Sequence, residues 1–310
     1  MKGSLLNPST GLTTITLLLA VSSVSAATHY VSLESTNPTP PYTNWQNAAR
    51  VIQDAVDAAG AGDQVVVTNG IYAEGGRAAV GTLTNRVAVG KPLVLSSVNG
   101  PQATVIDGGS AVGCVYLTNG ATLSGFTLSN GVADNGGGVF CESTNAVMSN
   151  CVLTANSASS YGGGCYYGTL NGCTLTGNSA YAQPHLPSTG GAAYHCVLNN
   201  CLLSGNSAQL GGGAAYSTLN NCTLTSNISA GPYENGGGAV DSLLYNCTLS
   251  GNWAWFGGGV SGGTLYNCTL SGNSAYMGGG AYSSSLSNCV LASNSAIQGG
   301  GGAYLGSLIS

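Results

Sequence analysis

The sequence predicts an all-β chain: a right-handed parallel β-helix, a solenoid of coils about 21 residues long with one capping helix at its N-terminal end. Three observations carry this reading. Cys151, Cys173, Cys201, Cys222, Cys247, Cys268 and Cys289 follow one another at intervals of 22, 28, 21, 25, 21 and 21 residues. Each has an asparagine five residues later, from Asn156 to Asn294, and six of the seven also have one immediately before, Gly172 being the exception. Glycine triplets return in the same phase at 162–164, 211–213, 257–259 and 278–280.

A period this short excludes helical repeats, which need roughly 30 or more residues and better helix formers than Gly and Asn. Collagen would place glycine at every third position. The unit instead breaks into short extended pieces, such as 222–225, separated by Asn and Gly, which tolerate the left-handed backbone of sharp turns. Three strands and three turns are expected per coil, with stacked coils pairing equivalent strands about 4.8 Å apart. In Cys-Thr-Leu the Cys and Leu share a face and point inward, while the Thr between them meets water. Stacked asparagines are expected to satisfy turn backbone groups along the axis. The extra residues at 181–189 and 230–235 fall at one point of the period, which marks loops on one face.

Residues 1–26 have a basic start at Lys2, an apolar stretch over 12–21 and a small-residue site before Ala27, the pattern of a secretory signal peptide. The expected location is therefore exported, secreted or at a cell surface or outer membrane, and no later stretch is long enough to span a bilayer. Residues 27–110 are assigned to the cap and first coils. There, 44–59 carries Ala48, Val51, Ile52, Ala55, Val56 and Ala59 at helical spacing, with Thr43 or Asn44 as N-cap and Gly60 as stop. Such a helix covers the open apolar end of a β-helix. The stretches 64–72 and 91–106 read as strands. Residues 111–310 are assigned to the regular coils, with Phe126 standing where later coils have Cys, and the chain stopping within a repeat. That open end predicts self-association.

Only 5% of the residues are charged, and the only cations are Lys2, Arg50, Arg77, Arg86 and Lys91. A nucleic-acid partner, which needs clustered Lys and Arg, is excluded on that ground. Eleven cysteines cannot all pair, and seven share one inward position, so they read as a buried thiol ladder. His29, His185 and His195 lack metal-ligand spacing, and the single Gly-rich run at 236–241 is too irregular for a calcium repeat, so no metal or cofactor is expected. Asn221, Asn246 and Asn267 match the glycosylation sequon but are assigned to the turn ladder.

The unit Asn267-Cys268-Thr269-Leu270-Ser271-Gly272-Asn273-Ser274-Ala275, followed by Gly278-Gly279-Gly280-Ala281, resembles the polymorphic outer-membrane protein repeat. Gly62-Asp63-Gln64-Val65-Val66-Val67 through Gly70-Ile71-Tyr72 is similar to the first coil of the pectate-lyase-like superfamily of right-handed parallel β-helices. The resemblance implies the fold and a surface or secreted location. It leaves function open, because such β-helices host lyases, hydrolases, adhesins and passenger domains.

Pectate lyases take a proton with Arg or Lys, and the repeats contain neither. After residue 91 the acids are Asp107, Asp134, Glu142, Glu234 and Asp241. Glu234 and Asp241 are the nearest candidate catalytic pair. Asp241 and His195 share a repeat position two coils apart, too far for direct coupling. Trp255 and Tyr276 share a position in adjacent coils, flanked by Trp253 and Phe256, and form a candidate strip for a sugar or protein partner. The expectation is a non-catalytic β-helix for adhesion, display or binding of polysaccharide or cell-surface proteins. The alternative is a carbohydrate-active polysaccharide lyase or glycoside hydrolase.

Overall fold

The structure, a computed structural model, describes residues 25–80, 83–181, 187–231 and 235–309. Nearly all of the predicted signal peptide and Glu234 lie outside the described residues. The strands form four long sheets of 12, 10, 8 and 11 strands, parallel throughout except for one hairpin, Arg77–Val80 with Leu83–Val89. One coil runs through Val147–Ser149, Val152–Thr154, Ser157–Tyr161 and Cys165–Tyr166 before Thr169–Asn171 stacks on its start. These four positions define the first to fourth sheets.

The coil therefore has four strands, not the three expected. The backbone shows why: Asn150, Ala155, Gly162 and Tyr167 have φ of 50°, 53°, 61° and 57°, so each coil turns four left-handed corners. The glycine triplet is a side wall as well as a turn. A Cβ on Gly163 would lie 2.1 Å from the Ser179 carbonyl oxygen and 2.6 Å from that of Gly191, so only glycine lets the next coil approach. The two-residue strand after the triplet is too short to show a sequence period.

Inside, Leu128, Leu153, Leu175, Leu203, Leu224, Leu249 and Leu270 form one fully buried column in register. Each contributes about 2 kcal/mol by leaving water. The cysteine column runs beside it, with Phe126 as its first member, as the sequence implies. All eleven cysteines are free, and all but Cys289 are buried. Burial pushes the Cys114 thiol up to about 12 and raises Cys165 too.

A second column is polar. Asn206 donates from Nδ2 to the Leu175 carbonyl (2.9 Å) and to Asn227 Oδ1 (2.9 Å), which also accepts from the Asn206 backbone N–H (3.0 Å). Asn227 repeats this with Leu203 and Asn252. Every buried asparagine from Asn156 to Asn294 joins the chain. The asparagines before the cysteines do something else. Asn221, Asn246 and Asn267 are exposed with φ of 54°, so the sequon residues hold a left-handed corner and are not part of the buried ladder.

At the N-terminal end the predicted helix is shorter than 44–59. Asn44 caps only a 3-10 turn, Trp45–Asn47, and the α-helix is Ile52–Ala58. Between them Ala49 adopts extended pairing: its N–H donates to Tyr30 and its carbonyl accepts from Ser32, both at 2.8 Å. Strand addition to Thr28–Val31 overrides helical propensity there. The helix still covers the core, with Ile52, Ala55 and Val56 buried. Gln53 satisfies both backbone groups of Ala88, accepting at 2.7 Å and donating at 3.2 Å, and so closes an open strand edge. Beside it, Asp63 accepts from the backbone N–H groups of Gly60 (2.7 Å) and Ala27 (2.8 Å) and meets His29 Nε2 at 3.0 Å.

Two predictions follow from these contacts. Asn227→Ala strands buried partners in two adjacent coils and should cost about 3 kcal/mol, whereas Asn221→Gly, at an exposed left-handed corner, should be nearly neutral; urea unfolding of the two variants checks the contrast. The hydrogen bonds to Asp63, from Gly60 first, hold its carboxyl at about 2. Its contribution is then complete above the ordinary carboxylate range and fades as pH falls from about 4 towards 2. Asp63→Asn should lower the melting temperature at neutral pH and lose that effect near pH 2.

Candidate binding surface on the third and fourth sheets

The third sheet carries two outward columns. One includes Ser157, Ser179, Ser207, Ile228, Trp253 and Ser274. The register of the same pairs places Asp134, Ser159, Tyr181, Gln209, Ala230, Trp255 and Tyr276 in the second column. Trp253 and Trp255 are 39% and 43% exposed. The rings of Trp255 and Tyr276 stack with centroids 4.4 Å apart and 14° between planes. They share a position as the sequence implies, yet they form a ladder along the axis, each covering one face of the other. The column position on the other side of Trp255 is held by Ala230. Phe256 departs from the strip and packs against Tyr282 of the fourth sheet at 5.0 Å.

The fourth sheet has an aromatic column absent from the sequence expectations. Tyr116, Phe140, Tyr166 and Tyr194 stack at 6.0, 5.0 and 5.6 Å. The available signal is an aromatic residue two or three positions after a glycine cluster, at Phe140, Tyr166, Tyr194, Tyr282 and Tyr304. At the adjoining corner Tyr167, His195 and Tyr216 stack at 5.3 and 5.4 Å. Asp241 follows Tyr216 in that column. His195 and Asp241 thus occupy one column, as the repeat phase requires, and Tyr216 stands between them. Burial raises the Asp241 carboxyl.

The other described acids of the coils are tied to a neighbouring coil. Asp107 accepts from Asn130 Nδ2 at 3.2 and 3.3 Å and from the Gly109 N–H at 2.8 Å. Glu142 accepts from the Thr118 hydroxyl (2.6 Å), the Asn119 N–H (3.0 Å) and the Tyr116 hydroxyl. The Thr118 bond, then Tyr116 and Asn119, hold its carboxyl below the ordinary value. Asp134 accepts from Ser159 at 2.9 Å. Among the cations, Arg86 binds carbonyls of Gly75, Asp107 and Gly108, Lys91 binds those of Asp57 and Ala59 at the helix end, and Arg77 pairs with Asp57.

The third sheet begins one or more coils later than the others, so the hairpin strand Leu83–Val89 and the turn at 111–112 stand over its first strand, Val132–Asn135. Between them lies a groove of about 780 Å³, reaching Phe140 and Tyr181. Its polar lining includes Asp134, Asn135, Ser157 and Ser159.

No family profile matches the sequence. No curated protein matches it either. Among solved structures, a pectate lyase, Pel9A, superposes with a TM-score of 0.53 at 13% identity, covering 89% of this chain and 79% of that one. A rhamnogalacturonan lyase superposes at 0.44, with 13% identity over 85% of this chain and 74% of that one. An alginate lyase from Paenibacillus sp. str. FPU-7 superposes at 0.41, with 13% identity over 84% of this chain and 96% of that one. At such identity the likeness is one of architecture. By its four in-register parallel sheets and its likeness to Pel9A, the chain has the pectate-lyase-like parallel β-helix fold.

Proposed function

We propose that this chain is a non-catalytic, exported β-helix that displays the outer face of its third sheet to a glycan, in adhesion or surface attachment. The observation that carries the reading is the use made of its acids. Asp107, Asp134 and Glu142 each accept a hydrogen bond from a neighbouring coil, and Arg77, Arg86 and Lys91 serve the cap and its hairpin. Proton abstraction and glycoside hydrolysis need a base or a second carboxylate facing the same bond. Here the charged groups work as ties between coils. What the face does offer is exposed ring surface, chiefly Trp253 and Trp255, beside short polar side chains. Flat aromatic surface with nearby hydrogen-bonding groups suits the apolar face of a sugar ring.

The signal-peptide pattern at 1–26 supports export, and the repeat likeness to polymorphic outer-membrane proteins supports a place at the cell surface. The test is a glycan-binding screen run together with assays for unsaturated and reducing ends. Binding without turnover is expected, and Trp255→Ala should weaken it about tenfold, with a smaller loss for Tyr276→Ala, whose face Trp255 covers. Release of sugar ends that Asp241→Asn or Glu234→Gln abolishes would make the chain an enzyme instead.

A further inference from the structure

The groove at the start of the third sheet has a chemical character of its own. Its walls are apolar, with Leu83, Val112, Val132 and Phe140 among the lining residues, and among the described residues no lysine or arginine lines it. Among its described polar lining side chains the Asp134 carboxylate is the charged one, while the Ser, Thr and Asn groups both donate and accept. The Asp134 carboxylate is exposed and has one recorded partner, the Ser159 hydroxyl, at one oxygen. Next to it, Asn135 Oδ1 is buried with no hydrogen-bond partner. The volume of about 780 Å³ falls within the range of small-ligand sites.

From this we infer that the groove is a subsite for an amino sugar, holding a protonated hexosamine of a glucosamine-type polymer with its ammonium on Asp134. The inference rests on the glycan-binding reading above and deepens it. An ammonium brings three donors and a positive charge to a site whose charged group, among the described lining residues, is a carboxylate. A uronate would instead place a second carboxylate against Asp134 with no cation among the described lining residues to offset it, and a neutral sugar would leave the charge unmatched. The apolar walls suit the C–H face of a pyranose ring. The Asp134 column then leads along the axis through Ser159, Tyr181, Gln209 and Ala230 to Trp255. At about 4.8 Å per coil this makes a track of roughly 24 Å for further residues of the same chain.

The experiment is calorimetric titration of the whole mature chain with a fully deacetylated chitosan hexasaccharide, its N-acetylated counterpart and hexagalacturonate, at mildly acidic pH and low salt. The deacetylated oligomer should bind best and weaken with added salt, and Asp134→Asn should lower its affinity about tenfold. Ser159→Ala, which frees a carboxylate oxygen, should preserve or strengthen binding, and Val132→Trp, which fills the groove, should abolish the preference. Circular dichroism checks that each variant folds. Equal binding of the N-acetylated oligomer, still sensitive to Trp255→Ala, would overturn the groove assignment and leave the glycan-binding reading standing. Binding of none of the three oligomers, or preference for hexagalacturonate, would also overturn it; cleavage of any of them would overturn the underlying reading.

Discussion

The structure depends on one buried contact, the asparagine ladder at the corner between the second and third sheets. A coil of about 21 residues encloses too little space for a core of its own, and its sharp corners bury backbone groups that water cannot reach. Each ladder asparagine resolves this by binding a carbonyl of the preceding coil and the asparagine of the next. The ladder groups of a coil are satisfied by its neighbours. Stability is therefore gained between neighbours, and the leucine and cysteine columns add apolar burial in the same direction. The positions on either side of each ladder asparagine have little freedom as a result, which accounts for the recurrence of Asn and Gly where a globular protein would vary.

The same axial logic governs the outside. With equivalent positions one strand spacing apart, neighbouring aromatics fall face to face along the axis. Trp255 covers Tyr276, and Tyr116, Phe140, Tyr166 and Tyr194 form a continuous stack. Such stacks stiffen the solenoid and expose ring edges, so an open face occurs only where a column is interrupted. The acids follow suit: Asp107, Asp134 and Glu142 each reach an adjacent coil.

Much of the fold was legible in the sequence because repetition reports packing directly. Cys222 and Leu224 alternate with exposed Thr223, and their spacing predicted both facing and register. The fourth strand of the coil was hidden because Cys165–Tyr166 has only two residues, too few for alternation to appear. The helix was drawn too long because Ala48 and Ala49 fit a helical period equally well, and only the strand at Thr28–Val31 shows that Ala49 pairs instead. For the candidate surface, the common position of Trp255 and Tyr276 was readable, while the plane of their rings was not, since it depends on what stands one coil below. The groove was invisible: Leu83, Val112 and Asp134 are far apart in sequence and meet because one sheet starts later than its neighbours.

Thiol labelling of the folded protein, mapped residue by residue, tests the stacked-coil account most directly. In-register stacking predicts that Cys289, half-buried in the last coils, labels first, that the ten buried cysteines react only as coils open, and that all eleven react once the chain is denatured without reductant. Rapid native labelling of Cys201 or Cys222 would contradict the register on which the account stands.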